Sequence, residues 1–435
     1  MARFDSKQTP YGGMINNKPI ETGPHLMVSG MTGSGKTIRV LAPAAMFWRG
    51  PRVIVSSKTD FLRWCVQKGI ARRGPLYVMD LAGELHDDFD WLHNTTYQRV
   101  HSDPTYLVHD DDTALDMATL LMKLGSLGSG SSASGGSGDD AFWKTLTVDS
   151  LATLLLAGRA EGSGIEWTLQ AMRKYNRDSE DDFSPSWETA AGIVGDTSFH
   201  TESLIALLRL DDKIRDSAAA TMKAGLSPWL RTTVRGRPGS EPFVPEMLES
   251  DDAEPTLAII APAVGVAAGA AVGALQTIVN HWRLGVERGL DRVLFAIDEA
   301  VNTSPMPDLP TYITEARGLG IACVIAVQST KQLRIRWDEA QANTLRECTP
   351  CLLVLRGAPE FEALEAAAKW AGEQDTQRES IDAQGHRSFS QERLPKRTAM
   401  QLLPPTVNQG RLLIGGMEGK LVDLPGIWNM GPATG

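Results

Sequence analysis

Residues 30–37 read Gly30-Met31-Thr32-Gly33-Ser34-Gly35-Lys36-Thr37, the pattern G-x-x-x-x-G-K-T of a phosphate-binding loop. A short apolar run at residues 25–29 is typical of a buried strand, and residues 37–42 can open a helix. The glycines allow successive backbone N–H groups to face phosphates, and the helix N-terminus adds its positive dipole. The sequence therefore predicts a site for ATP or GTP in which Lys36 reaches the outer phosphates and the Thr37 hydroxyl binds Mg²⁺.

Length and composition set broad limits. A chain of 435 residues can hold two or three domains. A formal net charge of −10 argues against a general polyanion-coating protein, although a local basic channel can still bind nucleic acid. Four cysteines do not make a disulfide framework in so long a chain, which favours a reducing cytosol. The N-terminus lacks an apolar core, so no signal peptide is expected.

One uncharged stretch, residues 256–279, raises the question of a membrane span. Gly265, Gly269 and Gly273 repeat the G-x-x-x-G spacing found where membrane helices pair. Ala and Gly dominate the run, however, and Pro262 divides it. We interpret it as a buried strand at residues 256–261 and a small-faced helix from about Val266, and we expect no transmembrane segment.

Strand and helix signals alternate up to about residue 124. Strands are predicted at residues 51–56 and 76–80, with a helix at residues 60–68 between them. This alternation favours a parallel sheet with crossover helices, so we assign residues 1–124 to the first part of an α/β nucleotide-binding domain. Residues 125–138 are almost wholly Gly and Ser and are assigned to a flexible linker.

The middle of the chain has a different pattern. From residue 139 to residue 238 apolar side chains recur at helical spacing, which predicts an all-helical domain. Strand signals return at residues 256–261, 293–297, 321–327, 351–355 and 411–414. Residues 239–435 are therefore predicted to complete the α/β domain. The predicted fold class is α/β, with a central parallel sheet and an inserted all-α domain.

A second motif supports the nucleotide site. Residues 293–297 are apolar and end at Asp298-Glu299, the pattern of a Walker B strand. Asp298 at the strand end can hold the Mg²⁺ shell, and Glu299 can polarise a water for attack on the γ-phosphate. A kinase that passes phosphate to a substrate does not need the second carboxylate for water, so the pair favours hydrolysis over transfer.

Two further residues each leave two interpretations open. Gln328 ends the apolar run 321–327 and is either a γ-phosphate sensor or a polar strand end. Arg317 is followed by glycines, so a helix end would present it; it is either an arginine finger for a neighbouring subunit's nucleotide or a solvated surface residue.

Residues 297–333, IDEAVNTSPMPDLPTYITEARGLGIACVIAVQSTKQL, resemble the corresponding block of type IV coupling proteins, the TraG/TraD-type ATPases of conjugation and type IV secretion. That family has a Pro-x-x-Pro-like turn after Asp-Glu, a helix ending in Glu-x-Arg-Gly-x-Gly and a strand ending in Gln-Ser. It also has an all-helical insertion that opens near a Phe-Trp pair, where Phe142-Trp143 stand here. With the hairpin-like residues 411–424, the resemblance covers nearly the whole chain.

The resemblance implies a RecA-like motor that binds ATP and Mg²⁺ and assembles as a hexameric ring. Residues 30–37 and Asp298 bind the nucleotide, and Thr37 and Asp298 bind the metal. Lys36, Glu299, Arg317 and Gln328 take part in hydrolysis, with Arg317 acting on the neighbouring subunit's nucleotide. DNA or a relaxase–DNA substrate passes through the ring towards a type IV secretion channel.

Two departures from the family pattern shape the expectations. Most members begin with transmembrane helices, whereas this chain begins almost directly at the motor domain, so we expect a cytoplasmic protein docked on a membrane partner at the inner face of the membrane. Many members have Asp-Pro-Lys-Gly after the second strand. Here Ser56-Ser57-Lys58-Thr59-Asp60 stand at that point, which keeps the Lys but loses the acid and the Pro-Gly turn.

Two other functions stay open at this point. A motor of the FtsK or HerA kind acts on chromosomal duplex DNA, but the helical insertion is expected of coupling proteins and not of those relatives. A receptor for secreted proteins would use nucleotide only to control assembly, and its ATPase would ignore DNA.

Overall fold

The computed structural model describes residues 7, 9–128, 138–178, 181, 183–250, 252–263, 267–315, 318–381 and 387–432. The strands are β1 (Met14–Ile15), β2 (Lys18–Pro19), β3 (His25–Ser29), β4 (Arg52–Ser56), β5 (Leu76–Asp80), β6 (Gln98–His101), β7 (Glu241–Pro242), β8 (Thr256–Ile260), β9 (Val293–Ile297), β10 (Ile321–Val327), β11 (Cys351–Leu355), β12 (Glu373–Ile381), β13 (Arg387–Pro395), β14 (Gln409–Ile414) and β15 (Lys420–Asp423). The α-helices are α1 (Ala42–Phe47), α2 (Asp60–Gln67), α3 (Asp111–Gly128), α4 (Gly138–Ala160), α5 (Gly164–Ala171), α6 (Trp187–Val194), α7 (Thr201–Leu208), α8 (Asp212–Gly225), α9 (Thr232–Arg235), α10 (Ala268–Gly285), α11 (Ala300–Thr303), α12 (Leu309–Glu315), α13 (Glu339–Cys348), α14 (Phe361–Ala371) and α15 (Ala399–Leu402).

One large sheet organises the chain. In the described part its strand order is β2-β1-β15-β14-β11-β3-β10-β9-β4-β8-β5-β6-β7, and the run from β11 to β7 is parallel throughout. Strands β14, β15, β1 and β2 extend it with antiparallel pairs. The central strands are buried on both faces, which explains their continuous apolar runs. The predicted α/β class and the strands predicted at residues 51–56, 76–80, 256–261, 293–297, 321–327, 351–355 and 411–414 are confirmed.

Successive side chains of the central strands enter two different cores, because neighbouring residues of a strand point to opposite faces. Leu26, Ile54 and Leu294 belong to the core on the face that α1 and α2 cover. Met27, Val55 and Phe295 belong to the other core, which continues into the helical region and contains Leu151 and Trp187. The sheet and the helical region therefore share one continuous apolar interior.

The helical region differs in its limits from the sequence interpretation. Helix α3 packs against α4 and α8, so the helical packing begins near Asp111 rather than at residue 139. Ala114, Ala118, Leu121 and other residues at helical spacing supply the apolar face that packs there. Between residues 138 and 235 the described part contains helices and no sheet strand, as predicted.

The predicted Gly/Ser linker is shorter than residues 125–138. Residues 125–128 belong to α3, and residue 138 already begins α4. Gly125 lies where a Cβ atom would meet the backbone of Ala224 and Gly225 in α8 at 2.7 Å, so this glycine serves a close helix–helix contact. Residues 129–137 lie outside the described part, and the domain limits themselves stay a prediction.

Residues 256–279, which raised the question of a membrane span, contain a buried strand and most of a helix that packs against the helical region. Strand β8 is followed by α10, whose small face contacts the helical region: Gly269 lies against Pro228 and Leu124, and Gly273 approaches the Trp229 ring. The interpretation as a strand and a small-faced helix is confirmed. Among the described helices, none combines the length and apolar character that a membrane crossing requires.

Several elements were not predicted because their sequences carry little apolar signal. Strands β6 and β7 are short and polar and extend the sheet at its far edge. Strands β12 and β13 form a separate antiparallel ribbon of nine residues each, rich in charged and polar residues. Such strands are held by hydrogen bonds to a neighbouring strand and do not bury an apolar face. The sequence therefore lacks the alternation of apolar and polar residues that would predict them.

Candidate nucleotide site

The predicted site residues follow strands that lie side by side. Strand β3 leads into residues 30–37, β9 leads into Asp298-Glu299, and β10 leads into Gln328. Because β10 lies between β3 and β9 and all three are parallel, their carboxyl ends meet at one edge. That edge is where open α/β sheets bind ligands. The sheet therefore brings Asp298-Glu299 and Gln328 to the phosphate loop, although they follow it in the sequence by about 260 and 290 residues.

The phosphate loop has the backbone conformation that its glycines predict. Gly33 and Gly35 have φ angles of +80° and +87°, in the left-handed region that disfavours other residues. The Gly30 N–H donates to the Val327 carbonyl at 3.2 Å, which ties the start of the loop to β10. A π-helical turn, Thr37–Leu41, follows and continues into α1. The chain thus turns from strand to helix around the loop.

Lys36 is buried within this loop. Its Nζ donates to the Gly30 carbonyl at 2.7 Å and to the Met31 carbonyl at 3.3 Å. Burial lowers the pKa of Lys36, while the nearby carboxylates Asp298 and Glu299 raise it. The ammonium group is thus held by two neutral carbonyl groups at the point where the loop closes.

Asp298 lies opposite the end of the loop. The Thr37 hydroxyl donates to its Oδ2 at 2.6 Å. Its Oδ1 is buried and has no hydrogen-bond partner among the described residues. Burial raises the pKa of Asp298, although the Thr37 hydrogen bond and Lys36 lower it. A hydroxyl and a partly unsatisfied carboxylate side by side are oxygen ligands of the kind that Mg²⁺ prefers, so these residues fit the metal.

Glu299 and Gln328 lie beside each other. The Gln328 Nε2 is 3.5 Å from the Glu299 Oε1, at the long limit of a hydrogen bond. Gln328 also accepts a hydrogen bond from Gln332 at 3.3 Å. Glu299 has a φ angle of +52°, which is unusual for a residue with a side chain, and such strained residues cluster at functional sites. Of the two interpretations of Gln328, its closeness to Glu299 favours the nucleotide role.

Two sequence-predicted features lie outside the described part. Arg317 is one of them, so its position relative to the site stays a prediction. Phe142 and Trp143 lie within α4, but their side chains are outside the description.

One residue at this edge was missed by the sequence reasoning. Glu360 is 4% exposed and follows β11, the other neighbour of β3. Its carboxyl group accepts hydrogen bonds from Ser29 and Thr330. No motif surrounds Glu360, and only the position of β11 beside β3 could have pointed to it.

The arrangement brings together a cation, a hydroxyl–carboxylate pair that could hold a metal, and a second carboxylate. When bound, Mg²⁺ would supply charge neutralisation at the phosphates. Lys36 and the loop N–H groups can bind phosphate, and Thr37 and Asp298 can hold the metal. Glu299 can take a proton from water, and Gln328 can orient that water.

The comparisons with known proteins found similarity to conjugative coupling proteins. Residues 292–407 match the family model described as the TraM recognition site of TraD and TraG. No curated protein matches the chain. Among solved structures, the bacterial conjugative coupling protein TrwBdeltaN70 in its unbound monoclinic form matches with a TM-score of 0.62 and 17% identity, over 100% of this chain and 91% of that one.

Two nucleotide complexes of the plasmid coupling protein TrwB also match. The complex with the non-hydrolysable ATP analogue ADPNP has a TM-score of 0.57 at 16% identity, over 100% of this chain and 92% of that one. The complex with ADP and Mg²⁺ has a TM-score of 0.58 at 16% identity, over 97% and 90%. The chain thus shares the fold of these solved structures, with a large central sheet and an all-helical region, as predicted.

Proposed function

We propose that this chain, a member of the TraG/TraD-type family of coupling proteins, is an ATP-hydrolysing motor that delivers DNA or a relaxase–DNA substrate to a type IV secretion channel. The observation that carries the proposal is the joining of the two nucleotide motifs: the Thr37 hydroxyl donates to Asp298, whose other oxygen is buried and unpartnered in the described part. Glu299 and Gln328 lie beside each other at the same edge, and we propose that they activate water.

In the proposed reaction ATP binds with its phosphates in the loop of residues 30–37. Lys36 contributes positive charge at the outer phosphates, and Thr37 and Asp298 hold Mg²⁺. Glu299 accepts a proton from the attacking water, which Gln328 orients. Arg317 from a neighbouring subunit stabilises the charge that develops on the γ-phosphate. On this proposal hydrolysis requires two subunits, as adjacent members of a homo-hexameric ring.

The helical region favours a coupling protein over a motor of the FtsK or HerA kind. The resemblance predicts a helical insertion between the two nucleotide motifs in coupling proteins and not in those relatives. Helices α4 to α9 lie between these motifs and share a core with the sheet. We also propose that the ring works at the cytoplasmic face of the cell membrane, attached to a membrane partner of the channel.

A protein receptor is a second candidate for part of the chain. The matched family model describes a TraM recognition site in TraD and TraG, and it covers residues 292–407. By that description, this segment is proposed to bind a partner protein as well as to supply the second half of the nucleotide site.

Steady-state ATP hydrolysis tests the motor proposal, measured with and without single- and double-stranded DNA. We expect DNA to raise the rate and the rate per subunit to rise steeply with protein concentration. Glu299→Gln should lower kcat by about 100-fold or more while nucleotide still binds, and Arg317→Ala should lower it by about 1000-fold. Glu287→Gln and Arg288→Ala, at two exposed positions outside the nucleotide motifs, serve as matched controls for the Glu→Gln and Arg→Ala changes.

Mixing the two inactive variants tests whether the site is shared. In a mixed ring an Arg317→Ala subunit keeps its own Glu299 and can receive Arg317 from a Glu299→Gln neighbour. Activity should therefore return on mixing if Arg317 acts between subunits. Hydrolysis that ignores DNA would instead favour the receptor candidate, and equal rates for wild type and Glu299→Gln would contradict the role given to Glu299.

A further inference from the structure

Glu360 is a buried carboxyl group that the proposed reaction does not use. It stands just before α14, in the segment that follows β11. Strand β11 pairs with β3 on the side away from β10. From there the side chain reaches across the end of β3 towards the segment after β10. Glu360 is therefore placed to contact the end of β3 and the segment that follows β10, which belong to two of the three strands that lead into the nucleotide site.

Its hydrogen bonds join two specific points. Glu360 Oε1 accepts from the Ser29 hydroxyl at 2.7 Å and from the Thr330 N–H at 2.7 Å. Its Oε2 accepts from the Thr330 hydroxyl at 2.6 Å. Ser29 immediately precedes Gly30, and Thr330 lies two residues after Gln328. One side chain thus connects the start of the phosphate loop to the Gln328 segment.

This connection is not explained by charge pairing. In the described part, no lysine or arginine forms an ion pair with Glu360. A buried carboxyl group is costly unless hydrogen bonds satisfy it, and here three donors from two segments do so. Because the donors come from the end of β3 and from the turn that follows β10, the group stabilises their relative position rather than either segment alone.

We propose that Glu360 is a positioning residue that fixes Gln328 relative to the phosphate loop. The proposal rests on the proposed function, in which Gln328 orients water at a γ-phosphate that the loop holds. Displacement of about 1 Å in a catalytic group can cost about 100-fold in rate. Loss of Glu360 should therefore lower kcat, while the loop N–H groups and Lys36 still bind nucleotide.

Steady-state kinetics of three variants test this role. For Glu360→Ala we expect kcat to fall about tenfold, the same loss as expected when Gln328 itself is removed, with KM changed less than about threefold. In Glu360→Gln the amide oxygen can keep both Oε1 bonds and the amide nitrogen can donate to the Thr330 hydroxyl, so kcat should recover to within about threefold of wild type. The exposed Glu365→Gln on α14 is the matched control.

Hydrogen exchange separates a failure of this proposal from a failure of the proposed function, because it needs no hydrolysis. With the non-hydrolysable ATP analogue and Mg²⁺, wild type should be protected at residues 30–37 and at residues 328–332. Glu360→Ala should keep the first protection and lose the second. If the second persists, or if kcat stays at the wild-type value, Glu360 is not a positioning residue.

If the analogue protects neither residues 30–37 nor residues 328–332 in wild type, the proposed nucleotide site is wrong. The proposed connection through Glu360 is then still open to test. Exchange without nucleotide then decides: the Thr330 amide donates to Glu360, so its exchange should be faster in Glu360→Ala and unchanged in Glu365→Gln. An unchanged rate in Glu360→Ala would overturn the proposed connection.

Discussion

The two edges of the central sheet bury charge in opposite ways. At the amino edge Arg52, the first residue of β4, and Arg73 are almost fully buried and share Glu254. At the carboxyl edge Lys36 is buried and Asp298 lies partly buried near it. Both edges remove charged groups from water, which is expensive unless partners compensate. The way in which each edge compensates differs.

The amino edge is nearly saturated with fixed partners. Arg52 donates to the Trp48 and Gly50 carbonyls at 3.2 Å each and to Glu254 at 2.5 Å. Arg73 donates to the Trp48 carbonyl at 2.6 Å and also contacts Glu254. Of the side-chain nitrogens of these two arginines, the Nε atoms lack a partner in the described part, and so does Nε2 of His25, the first residue of β3. Burial lowers the pKa of Arg52 to about 10 and that of Arg73 to about 9, so both stay charged at neutral pH.

The carboxyl edge leaves binding capacity unused. Asp298 has a buried oxygen with no partner in the described part, and Lys36 has only carbonyl partners. The comparison indicates that a buried charged group whose hydrogen bonds are satisfied by protein partners contributes to stability. A buried charged group that keeps an unsatisfied atom can instead bind a ligand. Substitutions at the amino edge should therefore lower the stability of the fold and leave nucleotide binding unchanged. Substitutions at the carboxyl edge should do the reverse.

The largest expected effect is at the amino edge. Glu254→Gln removes the shared negative charge and leaves two buried guanidinium groups uncompensated. We expect a loss of about 3–5 kcal/mol in the free energy of unfolding, measured by chemical denaturation. Hydrolysis per folded molecule should not change, because Glu254 lies at the edge opposite the nucleotide site.

Asp298→Asn is the matched substitution at the other edge. It removes a buried negative charge and keeps an oxygen that can accept from Thr37. The free energy of unfolding without nucleotide should change by less than about 1 kcal/mol, while Mg²⁺-dependent nucleotide binding falls. Equal losses of stability from Glu254→Gln and Asp298→Asn would break the comparison.

A second test uses pH at the amino edge. Burial, and then the charge of Arg292, lower the pKa of His25 from 6.5 to about 4. Because the folded state binds the proton less well than the unfolded state, the stability from neutral His25 is complete above pH 6.5 and is lost as pH falls to 4. This difference corresponds to roughly 3 kcal/mol.

His25→Asn isolates that contribution, because Asn can still accept from the Cys323 N–H as the His25 Nδ1 does. The stability difference between wild type and the variant should be constant above pH 6.5 and change by up to roughly 3 kcal/mol as the pH falls to 4. Denaturation curves at several pH values measure it. Parallel pH profiles would show that this edge tolerates another positive charge.

The smallest expected effect is at Gln328, which touches the carboxyl edge from β10. Gln328→Ala should lower kcat about tenfold, or about 1.4 kcal/mol, with little change in KM. The free energy of unfolding should stay near the wild-type value, since the side chain has only long hydrogen bonds. Gln374→Ala on the exposed ribbon is the control, and an equal fall in kcat there would count against a specific role.

The sequence predicted the sheet because its central strands are continuous apolar runs. It predicted the nucleotide residues of both motifs because each motif is local, and the structure joins them through Thr37 and Asp298. Long-range partnerships were not predictable: nothing around Glu360 or Glu254 indicates which distant side chains they meet. The start of the helical packing at α3 was missed because an amphipathic helix does not reveal its partner.

The strand order also has a consequence for the time course of synthesis. Strand β3, which carries the phosphate loop, is complete by residue 29, but its two neighbours β10 and β11 begin only at residues 321 and 351. For most of translation a buried apolar strand therefore has no partner to pair with. Such late, non-local pairing slows folding and exposes the chain to aggregation. The nucleotide site therefore forms late in the nascent chain, and a product that stops before β10 would leave both edges of β3 unpaired.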